Sequence, residues 1–342
     1  MTNACADRKA SIVDRTKIFS IIYALAALDG REASLFGKCG PYAEEAFSRS
    51  LTSEAFPEIW FEIPLAGEPW LDFHSLVSYD DVAGTHAAYS GHDGVYADAL
   101  AWFAAQQPHA VRQLALSYDT HTGDVEQPAV QVLVSRRGLS VPLGFLEAVG
   151  RQDATEPFRM FVSNIPDEWF ACYVGAFPRR QGAEVPPWVR VECIVGDMLQ
   201  RAYADDPATL KAHLAQVGLE TIDEDALSNI LMLARSPFPL ELQFNIGPEG
   251  KALPVLSASV RFEAEDWTDE SCRAAIVDLM RDVQGTGLVD GRWMNLAGTV
   301  FSKSLSRDDE SVTFSCFPVF LKLRWHEGKP SDAKAYLIAF TQ

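Results

Sequence analysis

Leu240-Glu241-Leu242-Gln243-Phe244-Asn245-Ile246 sorts its side chains onto two faces, with Leu240, Leu242, Phe244 and Ile246 on one and Glu241, Gln243 and Asn245 on the other. A period of two is the periodicity of a β-strand. Pro239 precedes the stretch. The turn-forming Gly247-Pro248-Glu249-Gly250 follows it and leads into a second extended run over 254–264. The unit is a hairpin, and a hairpin pairs antiparallel, because parallel neighbours need long crossovers.

The same unit recurs in both directions along the chain. Upstream, Ile59, Phe61 and Ile63 alternate with Trp60 and Glu62; after Ala66-Gly67-Glu68-Pro69, Leu71, Phe73, Ser75 and Val77 alternate with Asp72 and His74. A second hairpin is expected over 112–119 and 128–137, about the turn His121-Thr122-Gly123-Asp124. Strands are expected at 157–164, 169–177 and 187–195, with Pro186-Pro187 marking the start of the last as an edge. The tail reads as strands at 296–304, 312–325 and 333–341, with Glu327-Gly328-Lys329-Pro330 turning between the last two. Elsewhere the apolar spacing is helical: 8–29, 41–52, 94–107, 142–150, 268–283, and 194–235 in pieces broken near Pro207 and Gly218. No linker rich in glycine, proline or serine cuts the chain, so residues 1–342 read as a single domain. About ten antiparallel strands, with helices between the hairpins, must bury the helical stripes somewhere. One closed sheet with helices around its outside does so. The expected class is α+β, a closed antiparallel barrel surrounded by helices.

Composition narrows the partners. Of 342 residues, 48% are hydrophobic, enough for a large core, and the net charge is -18, with 47 Asp and Glu against 29 Lys and Arg. Such a surface repels phosphate backbones and anionic lipid headgroups, which argues against nucleic acid and membrane as partners. No run reaches the ~18 consecutive apolar residues of a membrane span. Residues 18–28 are apolar and follow Arg8, Lys9, Arg15 and Lys17, as in a signal peptide. However, Asp7 and Asp14 interrupt the basic region, and Asp29-Gly30-Arg31-Glu32 lacks a small-residue cleavage pattern, so a buried first helix is expected. Cys5, Cys39, Cys172, Cys193, Cys272 and Cys316 are scattered with no C-x-x-C pair, which fits reduced thiols and a cytoplasmic location. The histidines form neither H-E-x-x-H nor a local cluster with cysteine, so zinc is not expected.

In a barrel wrapped by helices the outward strand face is apolar and the inward face is free to be polar. Lys322, Arg324 and His326 share a face, as do Lys334 and Tyr336; Arg190 goes with Glu192, Arg261 with Glu263, Arg159 with Phe161 and Ser163, and Asp72 with His74. An ordinary sheet with one solvated face produces the same alternation. Cations are scarce in this acidic chain, however, and the same faces carry aromatics. Cations and aromatics on converging strands make a cavity for an anion attached to an apolar group.

At this point the order of elements resembles the ABBA family of aromatic prenyltransferases. Their ten-stranded antiparallel barrel is built from α-α-β-β units around an internal reaction chamber. The resemblance covers most of the chain. Trp70-Leu71-Asp72-Phe73-His74-Ser75 is similar to the family's early apolar-acid-apolar strand, which implies Asp72 as the carboxylate that activates the acceptor. Lys322-Leu323-Arg324 and Lys334-Ala335-Tyr336 resemble the family's diphosphate-binding residues at every second position, and Arg159, Arg190 and Arg261 would join them. The region 194–235 carries more helix than one such unit needs. The resemblance implies an enzyme of secondary metabolism whose partners are an isoprenyl diphosphate and an aromatic small molecule or peptide. It implies no cofactor, with Mg2+ admissible but not required.

The residue types suit that chemistry. Ionising a prenyl diphosphate yields an allylic cation and a pyrophosphate, and preorganised cations stabilise the charge on the leaving group. Aromatic walls stabilise the carbocation and exclude water. A carboxylate takes the acceptor's proton. Glu62 takes that role instead of Asp72 if its strand has the other register, and a salt bridge to a strand arginine is the structural alternative for Asp72. No D-D-x-x-D run is present to suggest a metal-clamped diphosphate. Gly285-Thr286-Gly287-Leu288-Val289-Asp290-Gly291 follows a helix, so it reads as a helix cap and loop, not a dinucleotide fingerprint. Two other functions stay open: a non-catalytic protein whose cavity binds a peptide or small hydrophobic ligand, and an enzyme such as a lyase acting on phosphorylated or carboxylated substrates. The direction of the strand cations separates these readings.

Overall fold

The apolar face of each alternating run needs a cover, and in the computed structural model that cover is a layer of helices. The structure describes residues 58–78, 82, 94–106, 111–119, 128–134, 138–177, 189–307 and 310–341. The helices expected at 8–29 and 41–52, the turn at 121–124 and the edge at 186–187 lie outside these residues. The strands are β1 (Glu58–Pro64), β2 (Asp72–Ser78), β3 (Val111–Tyr118), β4 (Ala129–Val134), β5 (Trp169–Ala176), β6 (Val189–Val195), β7 (Leu240–Ile246), β8 (Ala252–Arg261), β9 (Phe301–Arg307), β10 (Glu310–His326) and β11 (Lys329–Thr341). From β1 to β8 each strand pairs with the next; β8 then pairs with β10, β10 with β11, and β11 returns to β1. Every one of these pairings is antiparallel. The ring therefore closes through β1–β8, β10 and β11. Strand β9 stands outside it, paired with the first half of the 17-residue β10.

Closure fixes which face of each strand is inside. Ile59, Phe61, Leu116, Val132, Val191, Leu242, Phe244, Val260, Leu323 and Ala339 all point outward and are at most 1% exposed. Helices α1 (Val95–Ala104), α2 (Ser140–Ala148), α3 (Thr155–Asn164), α4 (Asp197–Asp205), α5 (Pro207–Gln216), α6 (Glu224–Ala234), α7 (Ala264–Thr268) and α8 (Glu270–Gly285) form the outer layer. Burial of this apolar shell stabilises the ring at roughly 25 cal/mol per Å² removed from water. Pro207 opens α5 after Asp206, whose side chain accepts from the Ala208 N–H, so the expected break is an N-cap. Gln200 of α4 secures the entry to β7: its Nε2 donates to Phe238 O at 2.8 Å, and its Oε1 accepts from Leu240 N at 2.9 Å.

Two sequence expectations need correction. Residues 157–164 are the helix α3, not a strand, and Arg159 is exposed on its outer side. The buried residues are Phe158 and Phe161, three apart, and Pro157 sits in the first turn where its missing N–H costs nothing. Residues 296–299 belong to a 3-10 segment, Gly291–Thr299, and β9 begins only at Phe301. Among the described residues no helix is long and apolar enough to cross a membrane.

Candidate active site

The inward register gathers one carboxylate and its partners. Glu62 on β1 lies opposite Tyr336 on β11 and opposite Asp72 on β2, while Trp60 lies opposite His74. Tyr336 Oη donates to Glu62 Oε2 at 2.6 Å, the Lys334 ammonium donates to Glu62 Oε1, and His74 Nε2 stands 3.4 Å from Oε2. The ring of His74 is held from its other side, where Nδ1 meets Ser117 Oγ at 2.6 Å, and Gln131 Nε2 donates to the same hydroxyl at 3.0 Å. Burial alone would raise the Glu62 carboxyl. The Lys334 ammonium and His74 outweigh it and hold the group well below the ordinary carboxylate range. Burial, then the Glu62 charge, pushes the Tyr336 phenol well above its usual value, so it stays a donor.

Around this carboxylate the barrel holds a cavity enclosing about 570 Å³ between atoms, its open mouth included. Trp60, Tyr173, Phe177, Phe320 and Tyr336 supply aromatic walls, and Arg190 and Lys322 supply cations. The Arg190 guanidinium lies 4.2 Å over the Phe177 ring, and its Nε donates to Asn245 Oδ1 at 3.3 Å. Lys322 Nζ lies 5.0 Å from the Tyr336 ring centroid and 3.6 Å from Glu192 Oε1. Gly175 lies on this wall; a Cβ there would come within 2.8 Å of both Gln131 Cγ and Phe177 Cε2. The missing side chain lets those two pack beside Arg190, which is opposite Gly175 across β5–β6.

The residues singled out from sequence are distributed unevenly. Arg190, Lys322 and Tyr336 line the cavity. Lys334 faces inward but is engaged with Glu62 and lies 5.6 Å over the Trp70 ring. Arg324 faces inward one step beyond Lys322 and pairs with Asp332 at 3.7 Å, outside the cavity lining. Arg261 sits at the end of β8 with its side chain 42% exposed, paired with Glu263 at 2.9 Å. Asp72 is 3% exposed, accepts from Trp70 Nε1 at 3.1 Å and does not line the cavity. Arg159 is removed from the group by its place on α3. Glu192, Glu241, Gln131 and Gln243 were not singled out as site residues, although Glu241 and Gln243 stand on the polar face of the strand quoted first. Among the described residues, no three His, Cys, Asp or Glu side chains gather as a metal-ligand set.

No protein-family model matches the chain, and no curated protein sequence matches it. Solved structures do. The prenyltransferase PriB in its binary complex with product diphosphate superposes with a TM-score of 0.56 at 13% identity, covering 94% of this chain and 96% of that one. The ternary complex of PriB with L-tryptophan and dimethylallyl thiolodiphosphate gives 0.55 at 12% identity, over 93% and 94% of the two chains. The 6-dimethylallyltryptophan synthase from Micromonospora olivasterospora, in complex with DMASPP and Trp, gives 0.50 at 13% identity, over 94% and 95%. The chain shares the barrel fold of these proteins.

Proposed function

We propose that this barrel transfers a prenyl group from an isoprenyl diphosphate to an aromatic small molecule or peptide. The observation that carries the reading is the chamber itself: a buried ionised carboxylate, a phenol, inward lysines and an arginine, and aromatic walls, all inside one closed ring. The solved proteins of like fold, two of them held with tryptophan and a dimethylallyl donor analogue, support the same direction. A cytoplasmic location and a place in secondary metabolism go with this reading.

The roles follow from the contacts. Lys322 and Arg190 line the cavity and receive the diphosphate, with Lys334 and Arg324 in reserve beside it. These cations stabilise the charge that develops on the leaving pyrophosphate. Trp60, Tyr173, Phe177 and Phe320 face the allylic cation and keep water away. Glu62 takes the proton from the acceptor. In the free protein its basicity is suppressed by Lys334. A diphosphate that draws the Lys334 ammonium toward itself removes that suppression, so donor binding readies the base. Asp72, directly opposite Glu62 on β2, supports the Trp70 indole. Between Asp72 and Glu62, the cavity lining favours Glu62 as the base, since Glu62 lines it and Asp72 does not.

The test is direct. Incubation with dimethylallyl diphosphate and L-tryptophan, then with other aromatic acceptors, should release pyrophosphate and yield a product heavier by one dimethylallyl group. A protein that binds aromatic ligands but never consumes the diphosphate is the binding protein of the competing reading.

A further inference from the structure

Glu192 and Glu241 are two inward carboxyl groups for which the reaction above has no use. Across the β6–β7 pair Glu192 lies opposite Gln243 and Glu241 lies opposite Ile194, so the two glutamates stand on a diagonal. Diagonal cross-strand side chains of this length meet, and these lie within hydrogen-bonding reach of each other. They are 7% and 3% exposed. Glu192 Oε2 accepts from Gln243 Nε2 at 2.9 Å, and Glu192 Oε1 faces Lys322 Nζ at 3.6 Å. Among the described residues Glu241 Oε2 has no hydrogen-bond partner, and neither has Ser259 Oγ directly opposite it. The other charged or titratable groups around the pair are Cys172 and Tyr173 from β5, Arg190 and Cys193 from β6, Arg261 from β8 and Tyr336 from β11, with Glu58 from β1 beyond Tyr173. Arg261 is half-exposed and already paired with Glu263. The Lys322 ammonium is thus the cation that stands in direct reach of Glu192. Two carboxylates in contact do not both stay ionised in such a site.

We propose that Glu192 and Glu241 hold one proton between them, and that a second proton enters the pair when a prenyl diphosphate draws Lys322 away. Glu241 is then a positioning residue, acting on the donor through Glu192 and Lys322. The inference rests on the prenyl-donor reading of the chamber. A bound diphosphate brings negative charge beside Glu192 and takes a share of the Lys322 ammonium. The pair titrates as a unit, and a new neighbouring anion favours its doubly protonated form. The proton comes from solvent, so donor affinity falls as pH rises. Burial, followed by the charge of Glu192, already pushes the Glu241 carboxyl well above the ordinary range.

Two measurements test this. The first is calorimetric titration of dimethylallyl thiolodiphosphate, without acceptor, in buffers of differing ionisation enthalpy. Wild type should take up about one proton more than the doubly substituted Glu192→Gln/Glu241→Gln protein, which has no carboxyl pair left to protonate. Across the pair's titration its affinity should fall up to about 10-fold per pH unit relative to that variant. Equal proton uptake by the two proteins overturns the donor coupling. The second is infrared spectroscopy of the ligand-free proteins at neutral pH, which should show a protonated-carboxyl C=O stretch in wild type that is absent from Glu241→Gln. Identical spectra there overturn the shared proton. Wild type that binds no analogue at any pH overturns the donor reading and the coupling together, a result distinct from bound analogue with unchanged proton uptake.

Discussion

Glu62 accepts from Lys334 and Tyr336 and has His74 beside it, more polar partners than a buried carboxylate needs for structure alone. If it is the base, Glu62→Gln should keep the fold and donor binding but lower single-turnover product formation by roughly 10²-fold or more. Asp72→Asn, beside it on β2 but off the cavity, should leave the rate per folded molecule near wild type. The reverse ranking of these two variants would return the role to Asp72. Lys322 and Arg324 separate in the same way. Lys322→Ala should weaken donor binding more than Arg324→Ala, because only Lys322 lines the cavity while Arg324 is paired with Asp332. Binding of the thiolodiphosphate analogue to the two variants decides it. From sequence Asp72 and both cations were visible as inward-facing residues, with Glu62 as the alternative acid under the other register. Their order along the barrel was not, because alternation assigns a face and says nothing of depth. Depth comes from register, and register here depends on β11 lying against β1 from more than 270 residues away.

Among the elements, the hairpins were legible and two helices, α3 and the short α7, were not. The β1–β2, β3–β4, β7–β8 and β10–β11 pairs follow from period-two runs joined by turn residues, and the structure pairs them as adjacent antiparallel strands. Residues 157–164 misled because Arg159, Phe161 and Ser163 mimic alternation over three positions, too short a window to separate period two from 3.6. The extension to Phe158 and Ile165 resolves it, since Phe158, Phe161 and Ile165 lie on one helical face turned to the core. The tip of the β7–β8 hairpin then docks on this helix. Gly250 has φ +70, and a Cβ at that position would come within 2.6 Å of Met160 Cβ and 3.0 Å of Pro157 O. Gly250→Ala combines a left-handed backbone with a clash against α3, so it should destabilise by about 1–3 kcal/mol. Gly67→Ala has a similar φ of +74 but nothing within 4 Å among the described residues, so it should cost less. Urea unfolding of the two variants gives the comparison. Equal losses would mean that the contact with α3 contributes nothing.

For the whole molecule, closure of the ring turns charge into a stability question. The expected ring of about ten strands is present, and the eleventh strand, β9, escaped notice as an outlier because β10 is one long run that serves two neighbours in succession. A closed ring has no edge through which water reaches the inner face freely, so Glu62 and Glu241 titrate under burial and their pKa values move in opposite directions. Glu62 is depressed. Its contribution to stability is present above the unfolded glutamate value of about 4.3 and is lost as pH falls through its lower folded value. Glu241 is raised. Between about 4.3 and its higher folded value the native state holds a proton that the unfolded chain has released. In that window stability falls as pH rises, by up to about 1.4 kcal/mol per pH unit. Glutamine at 241 keeps the shape and removes the titration. Glu241→Gln should therefore be close to wild type near pH 4.3 and increasingly more stable than wild type above it, until the folded-state pKa is reached. Urea unfolding of both proteins at a series of pH values from 5 to 8 measures the difference. A difference that stays constant with pH, or a variant that loses ground as pH rises, would mean that Glu241 is ionised in the folded barrel. The chamber would then carry one more negative charge than the donor-binding argument allows.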